Sequence, residues 1–271
     1  MCRWQPVRLE IVSNLLGSFV DRSRARAPFW AKAVTIGFLF AVLSLVCWIL
    51  LASTTRNWEV LWRYRNAFWH GWLLTVALSV VSLVLSTLIG LIAALARRSP
   101  VLLIKYLSIG YIECVRGMPL LVLILVLFYV VANALNITDR FLVGVVVLSL
   151  FAGAYIAEII RAGIESVGAS QRESARAIGL TTAQTYRFII FPQALRQALP
   201  PLAGQFASLV KDSSLLSVIG LAEFTYTAQQ VSSATYSTLE SYLPLAAGYL
   251  VLTLPISLWT NALGRGIRYE T

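Results

Sequence analysis

The chain has 271 residues, 58% of them hydrophobic and 13% charged, with a net charge of +10. Soluble domains carry about 25% charged and about 45–50% apolar residues, so this composition excludes an ordinary water-soluble globule and calls for a bilayer. The basic residues stand between apolar runs, which excludes a nucleic-acid-binding face and leaves basic loops flanking a membrane.

Residues 1–32 form a basic polar tail with Arg3, Arg8, Arg22, Arg24, Arg26 and Lys32, which resists export and puts the N-terminus in the cytoplasm. The first apolar run, 33–52, is too long for a signal-peptide core and reads as a retained helix. Residues 54–70 read as a loop whose Trp58, Trp62, Tyr64 and Trp69 suit the membrane–water interface. The second helix is expected over 71–96, with Ser79, Ser82, Ser86 and Gly90 making a stripe of small residues against which another helix can pack closely.

Residues 101–135 are too long for one straight span, and Gly117 with Pro119 predicts a break between a short helix and a third helix at 118–133. A fourth helix is expected over 141–164 and a polar helical stretch over 165–200, broken at Gly179 and Pro192. A fifth is expected over 201–221 and a sixth over 242–263, leaving 223–240 as a loop without Lys or Arg. The chain is thus predicted to be an all-α membrane protein of about six transmembrane helices with both ends inside. Cys2, Cys47 and Cys114 are too scattered for a metal or redox site, and His70 reads as structural.

The polar stretch reads GASQRESARAIGLTTAQTYRFIIFPQALRQALPP. Glu173, Ala175, Gly179, Ile189 and Pro192 stand there at fixed spacings, with Gln171 and Ser174 beside them. One short helix is expected up to Ile178, ended by Gly179 in a left-handed conformation. The spacing resembles the Glu-Ala-Ala, Gly, Ile-x-Leu-Pro loop of permeases of the ATP-binding-cassette importers. Ser174 stands for the second Ala and Phe191 for the Leu. The segments ARRSP, YIECVRGMPLLV, AYIAEIIRAGIESV and QALRQALPPLAGQFASLVKDSSLLSVIGLAE extend the resemblance to the polar amino-acid branch over 67–271, with Met118 where Thr is common.

The resemblance implies a five-helix permease core at 67–271, with a coupling loop at 165–200 that docks on an ATPase subunit. Residues 33–66 would then be an added helix and loop. It further implies a homodimer of ATP-binding-cassette ATPase subunits, a periplasmic substrate-binding protein and a second permease subunit, identical or not. The substrate would be an amino acid, and the chain would sit in the bacterial inner membrane. No G-x-x-x-x-G-K-[ST] segment occurs, so ATP is expected on the partner, with no cofactor or metal in this chain.

Charges in apolar spans are functional candidates because a bilayer penalises them. Lys211 and Asp212 fall in the middle of the fifth helix, about 100° apart, so each needs a partner elsewhere. Glu113 with Arg116, and Glu158 with Arg161, are three apart and read as intrahelical pairs or as part of a path for a zwitterion. An ion-coupled secondary transporter using Lys211 and Asp212 is the main rival. Such proteins are built on internal repeats, and none is visible here. A membrane-embedded enzyme is a second rival, and it lacks converging reactive side chains.

Overall fold

A computed structural model describes residues 57–267, with side chains to Thr260, together with eight positions between Gly37 and Trp48. Those eight are helical, in line with a helix over 33–52, whose limits lie outside the described residues, as does the basic tail. The chain divides into two compact units, 1–55 and 56–271, and everything below concerns the second.

Nearly all of this unit is helix. The stretch expected as a loop is helical from Glu59: α1 (Glu59–Arg63) leads through Tyr64 into α2 (Arg65–Ala96). Val60 and Phe68 are buried against Phe224, Ala228 and Val231, which explains why the helix begins earlier than the apolar run does. Trp62 and Trp69 stay exposed, as interfacial aromatics should.

α2 crosses α5 (Arg140–Glu165) along the predicted small-residue stripe. Ser79, Ser82, Ser86 and Gly90 are all buried, and Thr75 extends the row. A methyl group at Gly90 would lie 2.5 Å from Ile156 Cγ2 and 2.9 Å from the Gly153 carbonyl oxygen. At Gly153 it would lie 2.8 Å from Ile89 Cγ2. Neither glycine can be larger without parting α2 from α5, the most extensive helix contact among the described residues.

The predicted break is present. α3 (Leu102–Gly117) and α4 (Leu120–Leu125, prolonged by a π-helical stretch Val126–Ala132) meet at 111°. Met118 is extended, as a residue before proline must be, and Pro119 opens the second arm. Leu120, Leu123 and Ile124 carry that arm into the core with Leu78, Val143 and Val147.

The expected break at Pro192 is absent. α6 (Ala169–Ala177) is followed by α7 (Thr182–Thr185), a π-helical turn Tyr186–Ile190 and α8 (Phe191–Asp212). Pro192 falls in the first turn of α8, just after the π-helical turn, and Pro200 and Pro201 lie inside the helix. A 3₁₀ stretch, Ser213–Ile219, and Gly220 at φ +72° end this run.

The segment expected as an outer loop holds α9 (Phe224–Thr235), packed on α2 and on α10 (Thr238–Ile267). By length and apolarity, α2, α5 and α10 can each cross a membrane, which makes three spans among the described residues, or four if the bent α3–α4 pair is counted as one. α8, expected within the fifth, is more polar and packs against both α5 and α10. With its protein-facing sides covered, it needs less apolar surface than a helix facing lipid on all sides.

Candidate functional site

The loop between α5 and α8 is a short helix with both junctions locked. Gly179, at φ +80°, ends α6. Its N–H donates to the Arg176 carbonyl at 3.0 Å and the Leu180 N–H to the Ala175 carbonyl at 3.0 Å, a complete Schellman stop. Thr181 and Gln184 then form a reciprocal capping box that opens α7. Ala175 is wholly buried, and Arg172 reaches the Ile164 and Val167 carbonyls at 3.3 and 3.4 Å, fixing α6 to the end of α5. Val167, Ile190 and Ala194 fill the space beneath, with Ile189 half-buried beside them.

Gln171, Glu173, Ser174 and Pro192 point outward, and Ile178 is 75% exposed. Phe188 and Phe191 are exposed beside them. The signature residues thus separate into those that hold the knob and those that present it.

The paired charges are arranged differently from the expectation. Glu158 is the hub of a cluster on α2, α3 and α5. Arg97 meets it at 3.1 Å and Arg116 at 3.7 Å, and Arg161 binds both Glu158 and Glu165. The Glu158–Arg161 pairing is therefore as expected, whereas Arg116 turns away from Glu113 toward α5 and lies 5.7 Å over the Tyr155 ring. Glu113 is exposed and has no ion pair among the described residues. Spacing along one helix could not show that a second helix offers a better partner. Arg97 and Glu165 were not singled out from sequence, because their roles depend on helix contacts.

Replacing Glu158 with Gln leaves three guanidinium groups facing one another with Glu165 alone to balance them. These side chains are 22–33% exposed, so screening moderates the effect, and a loss of about 1–3 kcal/mol is expected. It would be read as a lower melting temperature of the purified protein. A variant that melts like the parent removes the cluster from the stabilising contacts.

Lys211 and Asp212 close α8 at its C-terminal end. α8 meets α5 where Gly163 approaches Ala194 and Ala198, and the following 3₁₀ stretch meets α5 again where Gly144 approaches Leu216. At about 1.5 Å per residue, Asp212 lies some 20 Å beyond the Gly163 contact, midway along α5. Lys211 is exposed, Asp212 is half-buried, and neither forms a salt bridge among the described residues.

Sequence reading passed over Glu223. It is fully buried and caps α9, accepting from the Thr225 and Tyr226 N–H groups at 2.8 and 2.7 Å. Tyr249 Oη of α10 donates to it at 3.1 Å, and Thr75 Oγ1 of α2 lies at 3.4 Å. An acidic residue just ahead of a helix was the available signal.

Residues 86–269 match the family described as binding-protein-dependent transport system inner membrane component. The chain is 39% identical over 200 residues to the probable glutamine ABC transporter permease protein GlnM of Bacillus subtilis, covering 74% of this chain and 91% of that one. It is 34% identical to the glutamine transport system permease protein GlnP of Escherichia coli, covering 78% and 98%. A solved structure of an amino acid ABC transporter superposes with a TM-score of 0.73 at 37% identity, covering 78% of this chain and 99% of that one.

Proposed function

Because the chain belongs to the family of binding-protein-dependent transport system inner membrane components, we propose that it forms the membrane path of an ATP-driven importer that carries a polar amino acid inward. It is a multi-pass inner-membrane transport subunit and not an enzyme. The observation that carries the fuller reading is the locked, outward-facing knob at 169–179, a shape suited to docking on a separate ATPase. Glutamine, in the names of GlnM and GlnP, supports a polar amino acid as substrate.

In this reading, two ATPase subunits bind the knobs of this chain and of a second permease subunit, and a substrate-binding protein delivers the amino acid from the other side. ATP stays on the partner. Gln171, Glu173, Ser174, Ala175, Gly179, Ile189 and Pro192 shape the coupling loop. Lys211 and Asp212, at mid-depth and without a salt bridge among the described residues, stand on the substrate path, and the Glu158 cluster with Arg116 and Arg161 braces its inner end.

Uptake of labelled glutamine into vesicles holding this chain, its ATPase and its binding protein tests the reading. Uptake is expected to need internal ATP and the ATPase, to survive ionophores, and to fall about tenfold in Lys211→Met and Asp212→Asn. Uptake that persists without the ATPase and collapses with ionophore would establish the ion-coupled alternative, which the family does not favour. The orientation follows from the basic-residue bias, with both termini and the knob cytoplasmic. In a cysteine-free background, an impermeant thiol reagent on intact cells is expected to label Tyr236→Cys and to spare Ile178→Cys; the opposite pattern inverts the topology.

A further inference from the structure

One groove of about 410 Å³ is unrelated to the path or the knob. Ile89, Ile92 and Ala96 of α2 face Ile104 and Leu107 of α3 across it, and Ile92 and Leu107 are each 65% exposed. Two hydroxyls lie on its floor, and both are already committed. Ser108 Oγ donates to the Ala93 carbonyl at 2.8 Å, and Tyr111 Oη donates to the Leu150 carbonyl at 2.6 Å. An anionic or carbonyl group therefore finds no free donor on this floor, while an aliphatic chain strands none by lying there.

The residues that adjoin the lining at one end of the groove are basic. Ala96 is followed by Arg97 and Arg98, and Lys105 adjoins Ile104. Arg97 is engaged by Glu158. Arg98 is exposed with only a 3.3 Å contact to Tyr186 Oη, and half-buried Lys105 has no ion pair among the described residues. No Asp or Glu occurs from residue 60 to residue 112, so nothing acidic on α2 or the first part of α3 offsets this charge. The mouth also lies at the same end of the bundle as the loop after α5, where α2 ends and head groups begin.

We propose that the α2–α3 groove seats an acyl chain of an anionic phospholipid, whose head group is held by Arg98 and Lys105. The combination decides the occupant: a dry apolar slot suits a hydrocarbon chain, and an uncompensated basic mouth selects an anionic head over a zwitterionic one. Neither feature alone would separate lipid from a packed helix.

The test uses the full chain in its native membrane, with a photoreactive amino acid in place of Leu107. Irradiation is expected to yield a phospholipid adduct. In nanodiscs made from equal parts phosphatidylglycerol and phosphatidylcholine, the phosphatidylglycerol adduct is expected to lead by about fivefold. Arg98→Gln with Lys105→Gln should bring the two to parity, and both positions are accessible enough for the fold to survive. An adduct to residues 33–52, to a second copy of this chain or to another protein overturns the proposal. So does a phospholipid adduct without head-group preference, or a preference that the double variant leaves intact.

Discussion

Glu173→Lys is expected to abolish coupled uptake, by about tenfold or more, while leaving the melting temperature of the isolated protein unchanged. The Glu173 side chain is exposed and makes no hydrogen bond or ion pair among the described residues, so its loss removes nothing from this chain's own fold. In the proposed reading its contribution passes through the ATPase partner. Gly179 makes the complementary case. At φ +80° a β-branched side chain is strained, and relief of that strain would disturb both hydrogen bonds of the Schellman stop.

Gly179→Val should therefore uncouple ATP hydrolysis from transport by deforming the knob, whereas Gly179→Asn, which tolerates a left-handed backbone, should retain most uptake. Hydrolysis and uptake measured side by side in reconstituted complexes report both. Undiminished transport by Glu173→Lys and Gly179→Val would remove the loop from the coupling mechanism.

Glu223→Ala is expected to be the most destabilising single replacement at the opposite end of the bundle. Its carboxylate satisfies two N–H groups at the start of α9 and the Tyr249 hydroxyl, all in a fully buried setting. Removing it orphans these donors together and unfastens α9 from α10. Hydrogen bonds to a charged acceptor are worth about 1.5–3 kcal/mol each, and those that share one carboxylate do not add in full, so a loss of about 3–5 kcal/mol is expected. For a protein of this size that lowers the melting temperature by roughly 10 °C. Glu223→Gln keeps one acceptor oxygen and should fall between. Thermal unfolding in detergent distinguishes these, and an Ala variant that melts with the parent would mean that water replaces the carboxylate.

Features governed by local spacing were legible before the structure. The small-residue stripe of α2 follows from helical period alone, and the Gly117–Pro119 break from the geometry of proline and of the residue before it. The loop signature was legible through the spacing that resembles importer permeases, and the helix stop within it because Gly179 can take a conformation that other residues avoid. Features governed by contacts across the bundle were not. Arg116 lies three residues from Glu113, yet its partner Glu158 is on α5. Residues 223–240 have the polar composition of a loop, yet Phe224–Thr235 is helical because Phe224, Ala228 and Val231 find an apolar partner on α2. Pro192 was read as a break because an α-helical ladder was assumed, and a π-helical turn precedes it instead.

That continuity has a mechanical consequence. From Thr182 to Asp212 the chain is one column, about 45 Å long at the usual rise, with the knob at its foot and Asp212 at its head. A column with a joint at Pro192 would absorb a push at that joint. A column without that joint carries a push at the foot past Pro192 toward the head. Its soft points are the π-helical turn Tyr186–Ile190, near the foot, and Pro200–Pro201 inside α8, where proline removes ladder hydrogen bonds. Bending at the π-helical turn tilts the column above it, and a few degrees at such a pivot sweep Asp212 sideways by roughly an ångström or more.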